Sequence, residues 1–145
     1  MFTSKVIAIW TVLLVVAVAN GAARVAILEP RLGERIAHQV SCATGSLFIL
    51  LVATALIPAL GTTSTPSLLG IGVLWLLLTV TFEFAFGRFV SGYSWERLLA
   101  DYNVLEGRLW LLVLATVFVA PLVAVKLRAV AAHPASATGA GMPRV

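Results

Sequence analysis

The stretch from Thr79 to Trp110 reads TVTFEFAFGRFVSGYSWERLLADYNVLEGRLW, and its pattern decides the fold. An apolar run carries Glu83 near its end and gives way at Arg88 to a charged, aromatic-rich segment. Apolar sequence then resumes at Leu109. This order predicts the end of one membrane helix, a short helix at the membrane surface and the start of another membrane helix.

The composition of the whole chain is typical of a membrane protein. Of its 145 residues, 61% are hydrophobic and only 11% are charged, whereas a soluble domain has about 25% charged residues. A spanning helix needs about 20 mostly apolar residues, so the length allows roughly four spans with short connections. The formal net charge of +4 is attributed to basic residues that flank the spans, not to nucleic-acid binding. We therefore predict an all-α integral membrane bundle of four transmembrane helices in one domain, with a short interfacial amphipathic helix.

The apolar runs define the predicted spans. They cover about residues 6–28, 37–60, 67–87 and 104–125, and the composition of residues 129–145 predicts a disordered tail. The first run also resembles a secretory signal, because small residues at 17–19 stand where a cleavage site would lie. Apolar sequence resumes after Gly21, which favours a full span that ends where Glu29 and Pro30 disfavour further helix.

Small residues predict where the helices approach one another. Ala37, Ser41 and Gly45 recur every four residues of the second span, and such stripes allow close packing of membrane helices. Cys42 is the only cysteine, so it cannot form an intrachain disulfide, and we interpret it as a small packing residue.

The start and the packing of the third span are also predicted. Thr65 is assigned as its N-cap and Pro66 as its first helical residue. Gly70 and Gly72 are expected to permit close packing against a neighbour. In the fourth span, Pro121 is expected in the last turns.

Glu83 is the sharpest single candidate for a functional residue. It lies about one turn before Gly87, or about 6 Å inside the predicted end of the span. An acidic side chain costs roughly 2.5–3.5 kcal/mol at the bilayer centre and less near the edge, so Glu83 should face other helices or a wet cavity. One interpretation is a proton or cation site, and the other is a buried pair with an arginine from another helix.

A second candidate pair lies at the start of the second span. If the chain is helical from Gly33, Glu34 and His38 lie one turn apart on one face. They form either a carboxylate–imidazole pair that relays protons or a polar pair at the membrane surface.

The charged segment after the third span is predicted to form a surface helix capped by Ser94. Its apolar face consists of Trp95, Leu98, Leu99 and Tyr102. Arg97 and Asp101 are spaced to pair on the other side. The alternative, functional interpretation is that this helix forms a lid over a substrate site.

Charge is distributed unevenly between the two ends of the predicted bundle. Four spans place both termini and the central turn on one side and the two charged connections on the other. All six acidic residues and six arginines fall on this connection side, which predicts a network of arginine–carboxylate pairs. The candidate functional polar cluster comprises Arg24, Glu34, His38, Glu83, Arg88, Asp101, Glu106 and Arg108.

The orientation in the membrane follows from basic residues, and the two ways of counting them disagree. Lysine and arginine counts alone favour a cytoplasmic connection side. If the arginines are paired within the fold, the basic, acid-free termini favour N and C termini in the cytoplasm, which is the orientation that we predict.

The sequence contains none of the common catalytic motifs. It lacks a phosphate-binding glycine loop, a CxxC pair, an HExxH motif and a serine elbow. Two histidines, of which His133 lies in the predicted tail, cannot form a bis-histidine haem site or a usual zinc site. We predict no cofactor and no metal. A four-span quaternary ammonium exporter would carry an acid in the first span, and this chain has none there.

The sequence shows a possible internal repeat and a resemblance to a protein family. The Glu34-Arg35 and Glu96-Arg97 pairs each precede a span with a late proline, which suggests a duplication of two helices. The chain also resembles a family of small bacterial membrane proteins with no activity to carry over, over about residues 20 to 121. The matching pieces are residues 21–24, the run from 30 to 38, and residues 82–84, 101–103 and 107–110. The resemblance implies a bacterial inner-membrane location.

Two functional hypotheses follow, and a membrane enzyme is a weaker third. The first is a non-enzymatic partner or structural subunit that uses its charged face for contacts. The alternative is a small proton- or ion-coupled transporter or channel that uses Glu83. The expected partners are the lipid bilayer and either a second copy of the chain or another membrane protein, and not nucleic acid.

Overall fold

The computed structural model describes residues 2–100, 102–103 and 109–132, and these residues form an all-α bundle. Four helices are long and apolar enough to cross a membrane. We label them α1 (Phe2–Leu32), α2 (Glu34–Leu60), α3 (Thr65–Val90) and α5 (Trp110–Ala131). A short helix, α4 (Trp95–Ala100), lies between α3 and α5. The predicted fold class is confirmed.

The first helix continues past the point where the sequence predicted its end. A π turn occupies Arg24–Leu28, and helix then runs through Pro30 to Leu32. Proline has no N–H for the carbonyl four residues earlier, and the wider turn before it gives its ring room. The helix ends at Gly33, whose φ of 75° is in the left-handed region that favours glycine.

The other helices are also longer than predicted. The second begins at Glu34, and the third runs from Thr65 through a second π turn, Phe86–Val90. Ser64, not Thr65, is the N-cap residue of the third helix. The fourth spanning helix reaches Ala131, beyond the predicted start of the tail.

Two features of the fourth span depend on its bounds. Its predicted start at residue 104 lies outside the described residues, as does the tail from residue 133. Pro121 is buried and lies mid-helix, not in the last turns as predicted, because the helix continues ten residues beyond it to Ala131.

The start of α1 and the last turn of α5 approach the end of α2 near the central turn. Lys5 Nζ donates to the carbonyl of Ala59 at 3.1 Å, and Arg128 Nη1 donates to the carbonyl of Thr54 at 3.2 Å. Basic side chains stabilise the C-terminal end of a helix, where carbonyls lack partners. The arrangement agrees with the predicted separation of this end from the charged connections.

Tryptophan side chains join α1 to α3 in the same half of the bundle. The indole N–H of Trp75 donates to the carbonyl of Val6 at 3.1 Å, and Trp75 is fully buried. The indole N–H of Trp10 donates to Thr79 Oγ1, also at 3.1 Å. A buried tryptophan needs a partner for its N–H, and here each partner belongs to the neighbouring helix.

The small-residue stripe of α2 is a helix contact, as predicted. Ala37, Ser41 and Gly45 are all buried. A Cβ at Gly45 would lie 3.1 Å from Nδ2 of Asn20 on α1. On α3 the prediction is half right. Gly72 lies against the backbone of α5, whereas a Cβ on Gly70 would meet nothing within 4 Å.

The two glycines of α3 give a matched test of the packing. A Cβ on Gly72 would overlap the carbonyl oxygen of Phe118 and lie 3.1 Å from its carbonyl carbon. We expect Gly72→Ala to lower the free energy of unfolding by about 1–3 kcal/mol, because backbone atoms must move. Gly70→Ala should leave it unchanged or raise it slightly. Thermal unfolding of both variants in detergent measures the difference, and equal unfolding midpoints would refute the α3–α5 contact.

Candidate functional site

A cavity of about 230 Å³ lies among all four long helices. Along α1 its lining extends from Ala17 to Arg24, and along α2 from His38 to Ile49. These segments are about 10 Å and 16 Å long at 1.5 Å per residue. On both helices the polar lining residues are nearer the connection side, and the apolar ones are nearer the middle of the bundle. The described lining residues are Ala17, Asn20, Gly21, Arg24, His38, Ser41, Cys42, Gly45, Ile49, Glu83, Trp110 and Val113.

The carboxylate of Glu83 faces this cavity and accepts two hydrogen bonds on one oxygen. The hydroxyl of Tyr102 donates to Oε2 at 2.7 Å, and the indole N–H of Trp110 donates to the same atom at 2.8 Å. Hydrogen bonds to a charged acceptor are shorter and stronger than neutral ones. These bonds hold the carboxylate in place and offset part of the cost of removing it from water.

Aromatic stacking positions one of these donors. The ring of Phe84 stacks on Tyr102, with centroids 5.9 Å apart, and on Trp95 at 6.1 Å. Phe84 follows Glu83 directly in the sequence, so its ring brings the segment after α4 close to the carboxylate. The sequence prediction placed Trp95 and Tyr102 on the apolar face of the surface helix and did not connect them with Glu83.

Glu83 is deeper in its helix than predicted. Because α3 continues to Val90, seven residues separate Glu83 from the helix end, or about 10 Å instead of 6 Å. The cavity also contains the side chain of Arg24, whose Nη1 lies 3.0 Å from Oε1 of Glu29. Both interpretations of Glu83 therefore keep a structural basis, since a cavity and an arginine are present together.

Asn20 is a site residue that sequence reasoning missed. Its Nδ2 donates to the carbonyl and to the hydroxyl oxygen of Ser41, each at 2.9 Å. The hydroxyl of Thr44 donates to its Oδ1 at 2.9 Å. A single amide in an otherwise apolar span is costly without hydrogen-bond partners. The presence of Asn20 in the first span could therefore have predicted a contact with another helix.

His38 and Cys42 lie one turn apart on α2 and face inward. His38 is 7% exposed and Cys42 is 4% exposed, and Cys42 Sγ lies 3.5 Å from Nε2 of His38. Glu34 is exposed at the start of the same helix. Because α2 begins at Glu34, the two residues lie one turn apart on one face as predicted, with the imidazole buried and the carboxylate exposed.

The remaining members of the predicted polar cluster do not line the cavity in the described part of the chain. Arg88 is exposed, donates to the carbonyl of Tyr93 at 3.4 Å and lies 5.8 Å from the ring of Trp95. Its contacts are therefore local to the surface segment. The other three members, Asp101, Glu106 and Arg108, lie outside the described residues, and so does the predicted Arg97–Asp101 pair.

The surface helix α4 begins as predicted, but only part of its apolar face is covered. The Ser94 hydroxyl accepts from the N–H of Arg97 at 3.3 Å. Leu98 is buried against Gly87, whereas Trp95 is exposed. Glu96 is fully exposed, and its own backbone N–H, together with Ser94, holds the pKa of its carboxyl below the ordinary value.

Comparisons with known protein families, with curated proteins and with solved structures found no match for this chain. Among residues 2–100, 102–103 and 109–132, no group of three or more His, Cys, Asp or Glu side chains could hold a metal ion. The fold and the site together define the class of the protein: a helical bundle with the length and apolar character of a multi-pass membrane protein, with a cavity of mixed polar and apolar lining among its helices.

The hydrogen bond from Trp110 gives a test of this site. Trp110→Phe keeps an aromatic ring but removes the indole N–H, so Oε2 of Glu83 loses one of two described donors. We expect the free energy of unfolding to fall by about 1–3 kcal/mol. Trp95→Phe, at an exposed position, should change it by less than about 0.5 kcal/mol. Thermal unfolding in detergent measures both, and the assignment fails if the two variants are equally stable.

Proposed function

We propose that this protein is a small ion-coupled membrane carrier in which Glu83 binds a proton or a small cation. The single observation that carries the proposal is that Glu83, on a membrane-length helix, lines a cavity shared by all four long helices. An ionisable residue inside a membrane helix is costly, and proton relays and ion pathways are its common uses.

The hydrogen bonds of Glu83 are compatible with a residue that changes its charge. Tyr102 and Trp110 are neutral donors, and they hold the carboxyl group without forming a permanent ion pair with it. The nearby arginine, Arg24, has Glu29 as a partner for its positive charge. A proton or a cation at Glu83 would therefore change the net charge of the cavity by one, which is what coupling requires.

Irregular backbone next to the cavity supports a moving site. One π turn begins at Arg24, which lines the cavity, and the other begins at Phe86, three residues after Glu83. Single π turns within α-helices are frequent at functional sites. Each gives its helix a point at which the following segment can shift relative to the bundle.

The cellular setting is part of the same proposal. The resemblance to small bacterial membrane proteins supports a bacterial inner membrane. The basic, acid-free ends with Lys5 and Arg128 support N and C termini in the cytoplasm. Carriers of this size commonly assemble from copies, and we propose a homo-oligomer.

Flux through reconstituted protein tests the carrier. In vesicles with an imposed potassium diffusion potential and a pH-sensitive dye inside, the protein should conduct protons above the leak of protein-free vesicles. Glu83→Gln should reduce this flux to the leak rate. The amide oxygen still accepts hydrogen bonds from Tyr102 and Trp110, but the amide cannot bind and release a proton as a carboxyl group does. Glu96→Gln, which alters an exposed acid on α4, is the matched control and should keep full flux.

Two results would refute the proposal. One is a flux through Glu83→Gln equal to that of the unaltered protein. The other is an unaltered protein that gives no proton flux and no dissipation of sodium or potassium gradients beyond the leak.

A partner or structural subunit is the second candidate, and the exposed end of α3 favours it. Phe89 is 83% exposed and Val90 is 68% exposed. They adjoin exposed Arg88 at the connection side, where apolar and basic groups together suit a contact with another membrane protein.

Site-specific photo-crosslinking in native membranes tests this candidate. A crosslinking residue at Phe89 should give a discrete protein adduct. The same residue at Leu77, which is 59% exposed in the middle of α3, is the control and should give lipid adducts. Lipid adducts alone at both positions would exclude a partner at this surface.

A further inference from the structure

We infer that the His38–Cys42 pair binds a thiophilic monovalent metal ion, Cu(I) or its analogue Ag(I), inside the cavity. The inference shares the cavity of the proposed carrier and would name its cargo, but the binding itself does not require transport.

Two independent observations support a metal site. The first is the donor pair: Sγ of Cys42 and Nε2 of His38 lie 3.5 Å apart and are presented by one rigid helix. The second is the cavity, since both residues are buried in the fold and yet both line its surface. A sulfur and an imidazole nitrogen that share a cavity can approach the same small ion without rearrangement of the backbone.

The number of donors selects the class of ion. Zinc almost always takes four ligands in structural sites and three protein ligands in catalytic ones. Monovalent d¹⁰ ions accept two ligands, and soft thiolate and imidazole donors suit copper. The pair therefore fits Cu(I) or Ag(I) better than a divalent ion.

The charge balance suits a membrane interior. Metal binding removes the thiol proton of Cys42, forms a sulfur–metal bond and adds a coordinate bond from neutral Nε2 of His38. One positive ion enters and one proton leaves, so the net charge of the cavity is unchanged. A neutral complex avoids the large cost of an uncompensated charge in a low-dielectric environment. Arg24 also lines the cavity, but its charge is opposed by Glu29.

The hydrogen bond between the two residues already holds the two donor atoms side by side. When the imidazole carries its proton on Nδ1, the thiol of Cys42 donates to Nε2 across the 3.5 Å contact. The ion takes the place of that proton, and the two side chains rotate apart to admit it between the sulfur and the nitrogen.

Metal titration of the purified full-length protein tests the inference. Under reducing, oxygen-free conditions, the protein competes for Cu(I) with a coloured chelator, and Ag(I) is titrated separately. We expect about one ion per chain and release of about one proton per ion. An ultraviolet metal–thiolate band should appear with the ion, and it can arise only from Cys42, because the chain has one cysteine.

The variants separate ligands from bystanders. Cys42→Ser should abolish the thiolate band and weaken binding at least about 100-fold. Loss of a ligand should cost no less than a change in the groups that support it, which costs up to about 100-fold. His38→Gln should keep the band but weaken binding. The chain has two histidines, so His133→Gln is the matched control and should bind as the unaltered protein does. Circular dichroism confirms that each variant is helical.

Three results would overturn the inference: no thiolate band in the unaltered, folded protein, equal weakening by His133→Gln and His38→Gln, or Zn(II) binding as tightly as Ag(I). The first needs no variant, so it decides the question even if Cys42→Ser fails to fold. Glu83→Gln separates this inference from the carrier. If the ion binds but the unaltered protein shows no flux, the carrier fails and the metal site stands. If flux depends on Glu83 but no band forms, the metal site fails and the carrier stands.

Discussion

A carboxylate within a membrane helix is removed from bulk water, so other parts of the chain supply its hydrogen-bond donors. For Glu83 these donors lie 19 and 27 residues further along, at Tyr102 and Trp110. The two bonds join the end of α3, the segment after α4 and the first turn of α5. These two bonds add to the packing of Gly72 against α5 and of Leu98 against Gly87 in holding the connection to the bundle. They also offset part of the cost of placing an acid in the membrane.

The opposite end of the bundle meets a different polar requirement. The last turn of α2 is a 3₁₀ segment, Ile57–Leu60, and carbonyls near a helix end lack intrahelical donors. Lys5 and Arg128 come from the two ends of the chain and donate to carbonyls in this region. Their positive charges also oppose the negative end of the α2 dipole. Each end of the bundle thus has its own polar chemistry, acid-centred on one side and carbonyl-centred on the other.

Hydrophobic periodicity was sufficient to predict the elements of this fold and the faces on which several residues lie. The stripe that includes Ser41 and Gly45 packs as expected, and Glu83 avoids lipid as its cost requires. Periodicity failed where the helix geometry departs from regularity. A π turn inserts one extra residue into a turn and rotates every later side chain, so neither the extension past Pro30 nor the surface position of Arg88 followed from a regular helix.

Other features of the site depend on contacts between different helices, which the residue pattern along one helix does not predict. Gly70 and Gly72 lie in the same apolar span, so the sequence predicts close packing at both. Only the position of α5 decides that Gly72 packs closely and Gly70 does not. In the sequence, Asn20 is a single polar residue within an apolar run. Its role as a contact between helices follows only from the position of Ser41 opposite it in the structure. Such pairings join positions far apart in the sequence, and spacing within one helix carries no information about them.

The cavity and the buried tryptophan contacts divide the bundle into two halves with different packing. In one half, Trp75 and Trp10 bind α1 to α3 directly. In the other half, α1 and α3 each contain a π turn, and the cavity lies among all four long helices. A carrier must expose its site to each side of the membrane in turn. In this structure the tryptophan half is closed, so in the proposed carrier the alternate state would require separation of the Trp75 indole from the carbonyl of Val6.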